Sequence, residues 1–280
     1  MQVDRYADAG DFLNAAGPWL ASAEVENNVM LTLARSIADE PRRLKAPPYF
    51  AAAIDGAQID CCGSRTPPHV MLVTNGTPGG LAALAADAFG ALGRLPGVTG
   101  PRQAAAAFAK AWLALAGGRA TICMRQRLHR IERVSADLPA IQGMLREVTP
   151  SERALAVQWA SAFALEAIPG RPSDIEESVD RHLRCSTLYF WDDGRPVAMC
   201  ASPGRAPSGA RINLVYTPPD LRRRGFATAA VSALTRRLLE SGSQYCCLYT
   251  DLANPTSNSV YRRIGYRPVC DFDEYAFAES

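Results

Sequence analysis

Two Asp-Gly dipeptides constrain this chain more than any other feature. Asp55-Gly56 separates the strand-like segments 49–54 and 58–62, and Asp193-Gly194 separates 187–191 and 196–201. Asp-Gly between such runs signals a tight hairpin, because both central residues of the favoured turn need positive φ. The offset between the two turns also separates Cys62 from Cys200. The chain therefore reads as two halves sharing one order of elements, and 280 residues are enough for both to bury a core.

In the first half, helical spacing over 7–38 leads into a link at Pro41, Pro47 and Pro48. Strands are predicted over 49–54, 58–62 and 69–74, helices over 81–92 and 103–115, and a strand over 120–131. The second half predicts helices over 151–167 and 173–183, each opened by a serine cap, then strands over 187–191, 196–201 and 211–217. A helix over 225–240 and a strand over 245–250 follow. A short helix capped by Thr256 or Ser257 and stopped by Gly265 comes next, then a strand pair over 266–270 and 274–277. Strands alternating with helices place the chain in the α/β class with a mixed sheet, divided as 1–130 and 131–280.

Composition excludes several functions. Apolar residues make up 48% and charged residues 21%, the usage of a folded domain. The apolar stretches 79–93 and 104–118 are interrupted by Asp87 and Lys110 and are too short to span a bilayer. Asp4, Arg5, Asp8 and Asp11 occupy the place of a signal peptide's apolar core, so the chain is expected in the cytoplasm. A net charge of +2 gives no field for a nucleic-acid or membrane partner. The eight cysteines lack C-x-x-C spacing and read as reduced core residues, and three scattered histidines give no metal site. Nothing sets the oligomeric state.

The chemistry concentrates in one segment. Val215, Tyr216 and Thr217 end a strand, Arg222, Arg223 and Arg224 form a basic loop, and Gly225, Phe226, Ala227 and Thr228 open a helix. The first amides of a helix lack internal partners and carry partial positive charge, so this order suits an anion such as a pyrophosphate. Gly225 and Ala227 would let it approach the backbone closely.

Arg222-x-x-Gly225-x-Ala227 resembles the [Q/R]-x-x-G-x-[G/A] signature of the GNAT superfamily of acetyl-coenzyme A-dependent N-acetyltransferases. Asn254, Ser257 and Tyr261, followed by Gly265-Tyr266, are similar to that superfamily's closing pattern. The resemblance covers about residues 151–277. The first half matches only in its order of elements and carries Asn75-Gly76-Thr77-Pro78-Gly79-Gly80 where the basic loop should be.

The resemblance implies two GNAT-like three-layer α-β-α halves, a degenerate first and a catalytic second. It implies that acetyl-coenzyme A is the co-substrate, that no metal takes part, and that a small-molecule or peptide amine is the acceptor. Val215, Tyr216 and Thr217 would hold the pantetheine arm and acetyl carbonyl, Arg223 through Thr228 the pyrophosphate with Arg222 among the cofactor-binding residues, and Asn254 the pantetheine. Tyr261 would protonate the leaving thiolate, as a phenol of pKa about 10 can. Many members carry a glutamate five residues before the asparagine; that position is Tyr249 here, and Asp251 and Glu166 are the nearby carboxylates. The rival readings are a non-catalytic acyl-coenzyme A sensor or scaffold and a transferase of longer acyl groups.

Overall fold

The elements of the first half are strand β1 (Gln2–Tyr6), helices α1 (Ala9–Ser22) and α2 (Glu24–Asp39), and strands β2 (Tyr49–Asp55), β3 (Gln58–Arg65) and β4 (Met71–Val73). Helix α3 (Pro78–Leu92), β5 (Gly97–Pro101), α4 (Arg102–Ala116) and β6 (Arg119–Ile131) complete it. The second half repeats that order with β7 (Met144–Glu147), α5 (Arg153–Ala167), α6 (Ile175–Arg184), β8 (Leu188–Asp192) and β9 (Pro196–Ala201). Its third strand is broken into β10 (Gly209–Arg211) and β11 (Asn213–Tyr216), before α7 (Phe226–Glu240), β12 (Tyr245–Asp251), α8 (Pro255–Ile264) and β13 (Arg267–Ala278). The computed structural model describes residues 1–40, 46–167, 174–204 and 206–279. It divides into one unit of Met1–Leu128 with Val269–Ser280 and a second of His129–Pro268.

In the first unit the strand order is β1-β2-β3-β4-β5-β13-β6. Successive β2 residues point to opposite faces. Tyr49, Ala51 and Ala53 join the core under α3 and α4, and Phe50 and Ala52 join the core under α1 and α2. Strand β4 pairs in parallel with β5, Met71 opposite Val98 and Leu72 opposite Thr99. The second unit has the same layering. Tyr189, Trp191, Ala198 and Cys200 pack with α7 and α8, while Leu188, Phe190, Met199 and Ala201 pack with α5 and α6. Its strands form an antiparallel set β11-β9-β8-β7, and β12 lies between β6 and β10. The α/β class and the three layers are as expected.

Several boundaries differ, each for a local reason. The segment 7–38 is two helices broken at Ala23, where neither glycine nor proline marks the break and the buried Asn27 amide donates to Leu20 O at 3.1 Å. Strand β5 escaped notice because Gly97 and Gly100 read as loop. Both are glycine for packing, since a Cβ would lie 2.0 Å from Tyr275 O at the first and 2.6 Å from Val73 O at the second. The expected final strand pair is the single strand β13, whose Asp271 and Asp273 pair with Arg127 and Arg102 instead of turning the chain. Thr149, in a capping box with Glu152, starts the 151–167 segment in place of Ser151. Asp174 caps α6; the expected cap Ser173 and the link residue Pro41 lie outside the described residues. Asn254, rather than Thr256 or Ser257, caps α8. Of the cysteines, Cys123 and Cys185 are exposed and so are not core residues. Among the described residues no helix is long and apolar enough to cross a membrane.

Candidate active site

The strand expected over 211–217 changes partners midway. Residues Gly209 to Arg211 pair in parallel with Tyr245 to Cys247 of β12, and Ile212 N still donates to Cys247 O at 2.9 Å. From Asn213 onward the chain pairs with β9 instead, Asn213 opposite Ala201 and Tyr216 opposite Met199. That register holds one extra residue on β11, a bulge, and within it Leu214 takes φ 49°, a left-handed conformation costly for a branched side chain. Beyond Ile212, β11 and β12 therefore belong to separate sheets and open a wedge. Strand β11 is an edge, so the backbone groups of Val215 and Tyr216 on that side are available to an extended ligand. Thr217, next in the chain, keeps a buried hydroxyl that has no hydrogen-bond partner among the described residues.

The chain passes from this wedge straight to an anion-ready helix end. Gly225 is the N-cap of α7 at φ 85°, and no side chain caps that helix. Ala229 N makes the first intrahelical bond, to Gly225 O, so the amides of Phe226, Ala227 and Thr228 have no partner within the helix. Arg223 is also left-handed at φ 65°, and alternation of this kind turns successive amides into one concavity. The three arginines are exposed around it, with distinct engagements. Arg224 donates to Asp220 O at 3.2 Å. Arg222 donates through Nε to Thr217 O at 2.9 Å, makes two bonds of 2.8 and 2.7 Å to the Glu166 carboxylate, and lies 5.8 Å from the centre of the Tyr216 ring. Arg222 thus ties the loop to α5.

Tyr261, on α8, is buried in the cluster that includes Phe226, Cys200 and Tyr266, with Val215 packed against it. Its ring meets Tyr266 edge-on, 6.0 Å between centres. Burial, aided by the neighbouring Cys200, pushes its phenol above the usual range, so it holds its proton at neutral pH. Asn254 accepts from Ser257 N at 3.0 Å through its side chain, which leaves the amide nitrogen as the group that could reach a ligand. Tyr249 is half-buried at the position where a glutamate would serve as base. Of the other carboxylates, Asp251 accepts from Ala253 N at 2.8 Å and Glu166 is held by Arg222. The sequence reading missed the Glu166 pairing, the Leu214 bulge and the anchoring of α8 by Asn258. Only Asn258 carries a hint, as an amide in the first turn of a helix. Among the described residues no group of His, Cys, Asp and Glu could hold a metal ion.

Residues 191–276 match the family model described as FR47-like protein. A GNAT-family acetyltransferase from Colwellia psychrerythraea superposes with a TM-score of 0.59 at 11% identity, over 99% of this chain and 100% of that one. A GCN5-related N-acetyltransferase from Sphaerobacter thermophilus gives 0.60 at 15% identity, over 98% and 94%. A Drosophila protein gives 0.65 at 12%, over 99% and 98%. No curated protein matches the sequence. At such identities the superpositions speak for the fold, and they extend over both halves. The matched family segment lies in the second half, and the superpositions give the chain the fold of these acetyltransferases.

Proposed function

We propose that the second half, about residues 131–280, is an N-acetyltransferase that moves an acetyl group from acetyl-coenzyme A to a primary amine by direct transfer. The observation that carries this reading is the parting of β11 from β12 after Ile212, followed at once by the uncapped N-terminus of α7. An extended arm fits along a strand edge, and a pyrophosphate fits the amides of Phe226, Ala227 and Thr228. The acetyl thioester supplies an activated carbonyl when bound. Backbone N–H groups of Val215 to Thr217 would polarise that carbonyl as the amine nitrogen forms its new bond to carbon. The carbon–sulfur bond breaks, Tyr261 gives its proton to the departing sulfur, and the proton the amine loses to water is returned through water to the Tyr261 phenolate.

We propose also that the first half, about residues 1–130, is a degenerate repeat that holds no coenzyme A. Its β4 and β5 stay paired, and its corresponding helix already has a carboxylate at its N-terminus. A sensor without turnover is favoured by one observation: Tyr249 replaces the glutamate, and both nearby carboxylates are engaged. Thiol release from acetyl-coenzyme A across a panel of amines separates the two. Turnover with any amine removes the sensor, and tight coenzyme A binding with no turnover removes the transferase.

A further inference from the structure

A line of side chains runs from β6 to the start of α8. Asn258 gives both hydrogens of Nδ2 to backbone carbonyls, Asp251 O at 2.9 Å and Asn254 O at 2.8 Å. Its Oδ1 is left as an acceptor and takes the Thr250 hydroxyl at 2.7 Å. That hydroxyl has one proton, so towards His129 Nε2, 3.1 Å away, its oxygen can only accept. The imidazole therefore carries a proton on Nε2. Thr250 and His129 are each 3% exposed, so the bond between them is not traded for water.

The two carbonyls held by Asn258 bracket the turn between β12 and α8. Within it Asn254 N donates to Asp251 O at 3.1 Å and Asn254 caps the helix that carries Tyr261. We infer that Thr250 and Asn258 are positioning residues, which set the start of α8 and so place Asn254 and Tyr261 for the transfer. The inference rests on the acetyltransferase reading. A cap of ordinary structural value would protect the fold without touching the reaction, and the two roles separate in experiment.

The test compares Thr250→Val, which keeps the shape but loses the hydroxyl, with Thr250→Ser, which restores it, and with Asn258→Asp, which keeps an acceptor but loses both donors. The readouts on the full chain are hydrogen exchange at the Ala253, Asn254 and Ser257 amides, and kcat and KM for acetyl-coenzyme A. The valine and aspartate variants should exchange about tenfold faster at these amides, with kcat lowered and KM raised, while serine follows the parent. If the valine variant does not fold, the aspartate variant carries the comparison. Unchanged exchange, or faster exchange with unaltered kcat and KM, overturns the positioning role alone. A parent chain that neither binds coenzyme A nor turns over overturns the acetyltransferase reading, and the positioning role with it.

Discussion

The N-termini of α3 and α7 begin from the same place in the repeated order of elements and end in opposite states. At α3, Thr77 caps the helix by accepting from Gly80 N at 3.1 Å. Asp60 accepts from both Thr77 N and Thr77 Oγ1, at 3.0 and 3.1 Å. A Cβ on Gly80 would lie 1.8 Å from Asp60 Oδ2, so the carboxylate sits on the first turn itself. The chain has put its own anion where the helix dipole favours one. At α7 no side chain caps, three exposed arginines precede the helix, and the preceding strand has left its neighbour. A helix start is thus a ligand site only while the protein leaves it unfilled. Paired strands in one unit and parted strands in the other repeat that contrast at the sheet.

The largest expected effect tests whether the parted wedge works as a catalyst. Tyr261→Phe keeps the ring against Tyr266 and removes only the hydroxyl. Turnover should fall about a hundredfold to ten-thousandfold while coenzyme A affinity stays. The pH profile adds a sign. A general acid works while protonated, and burial raises the Tyr261 pKa, so no alkaline loss of kcat from this group should occur up to the ordinary phenol value near 10. A single-turnover rate equal to the parent's would return Tyr261 to the core.

The next effect falls on the α7 end. Calorimetry should find one coenzyme A per chain, and Gly225→Val should weaken it by tenfold or more, roughly, because a β-branched residue resists φ 85° and the amides would turn away. The same change should cost about 1–2 kcal/mol of stability through backbone strain. The steric part is small, since the added Cβ would meet only the end of Ile141 at 2.8 Å. Two equivalent sites per chain would erase the contrast between the units.

What the sequence disclosed about this contrast follows from the range of the forces involved. The start of α7 at Gly225 and the basic loop before it were legible because each is set within a turn of its own segment. The strand over 49–54 was legible for the same reason. The wedge was not, because Leu214 at positive φ has no local signature and the parting depends on which strand competes for Asn213. Asp60 reads as an ordinary strand residue until folding brings it to Thr77. The pairing of Arg222 with Glu166 of α5, at 2.7 Å, spans two distant segments and has no local signal either. Gly97 and Gly100 misled for the converse reason: their smallness serves packing across the sheet and not a turn.

Asp60→Ala asks which barrier keeps the α3 end closed. Loss of the carboxylate should destabilise the chain by about 1–2 kcal/mol, the usual worth of an anion bonded at a helix start. It should leave the stoichiometry at one, because β4 remains paired with β5 and no arginine stands nearby in the chain. A second, weaker coenzyme A site in this variant would show that the built-in anion, and not the closed strand pair, is what disables the first unit.

The smallest effect concerns the Arg222–Glu166 ion pair at the open end. Arg222 and Glu166 are 43% and 49% exposed, and a pair so exposed is worth at most about 1 kcal/mol to the fold. Glu166→Gln should therefore hardly move the melting temperature. It removes the negative charge paired with Arg222, while the Arg222 bond to Thr217 O still holds the loop. Coenzyme A should then bind tighter, by about twofold to threefold at low salt, and the gain should vanish near 0.5 M salt, where screening acts over roughly a few ångströms. If affinity falls instead, and falls equally at high salt, Glu166 contributes by fixing the loop's shape, and the open end of α7 is maintained by α5 as well as by its own arginines.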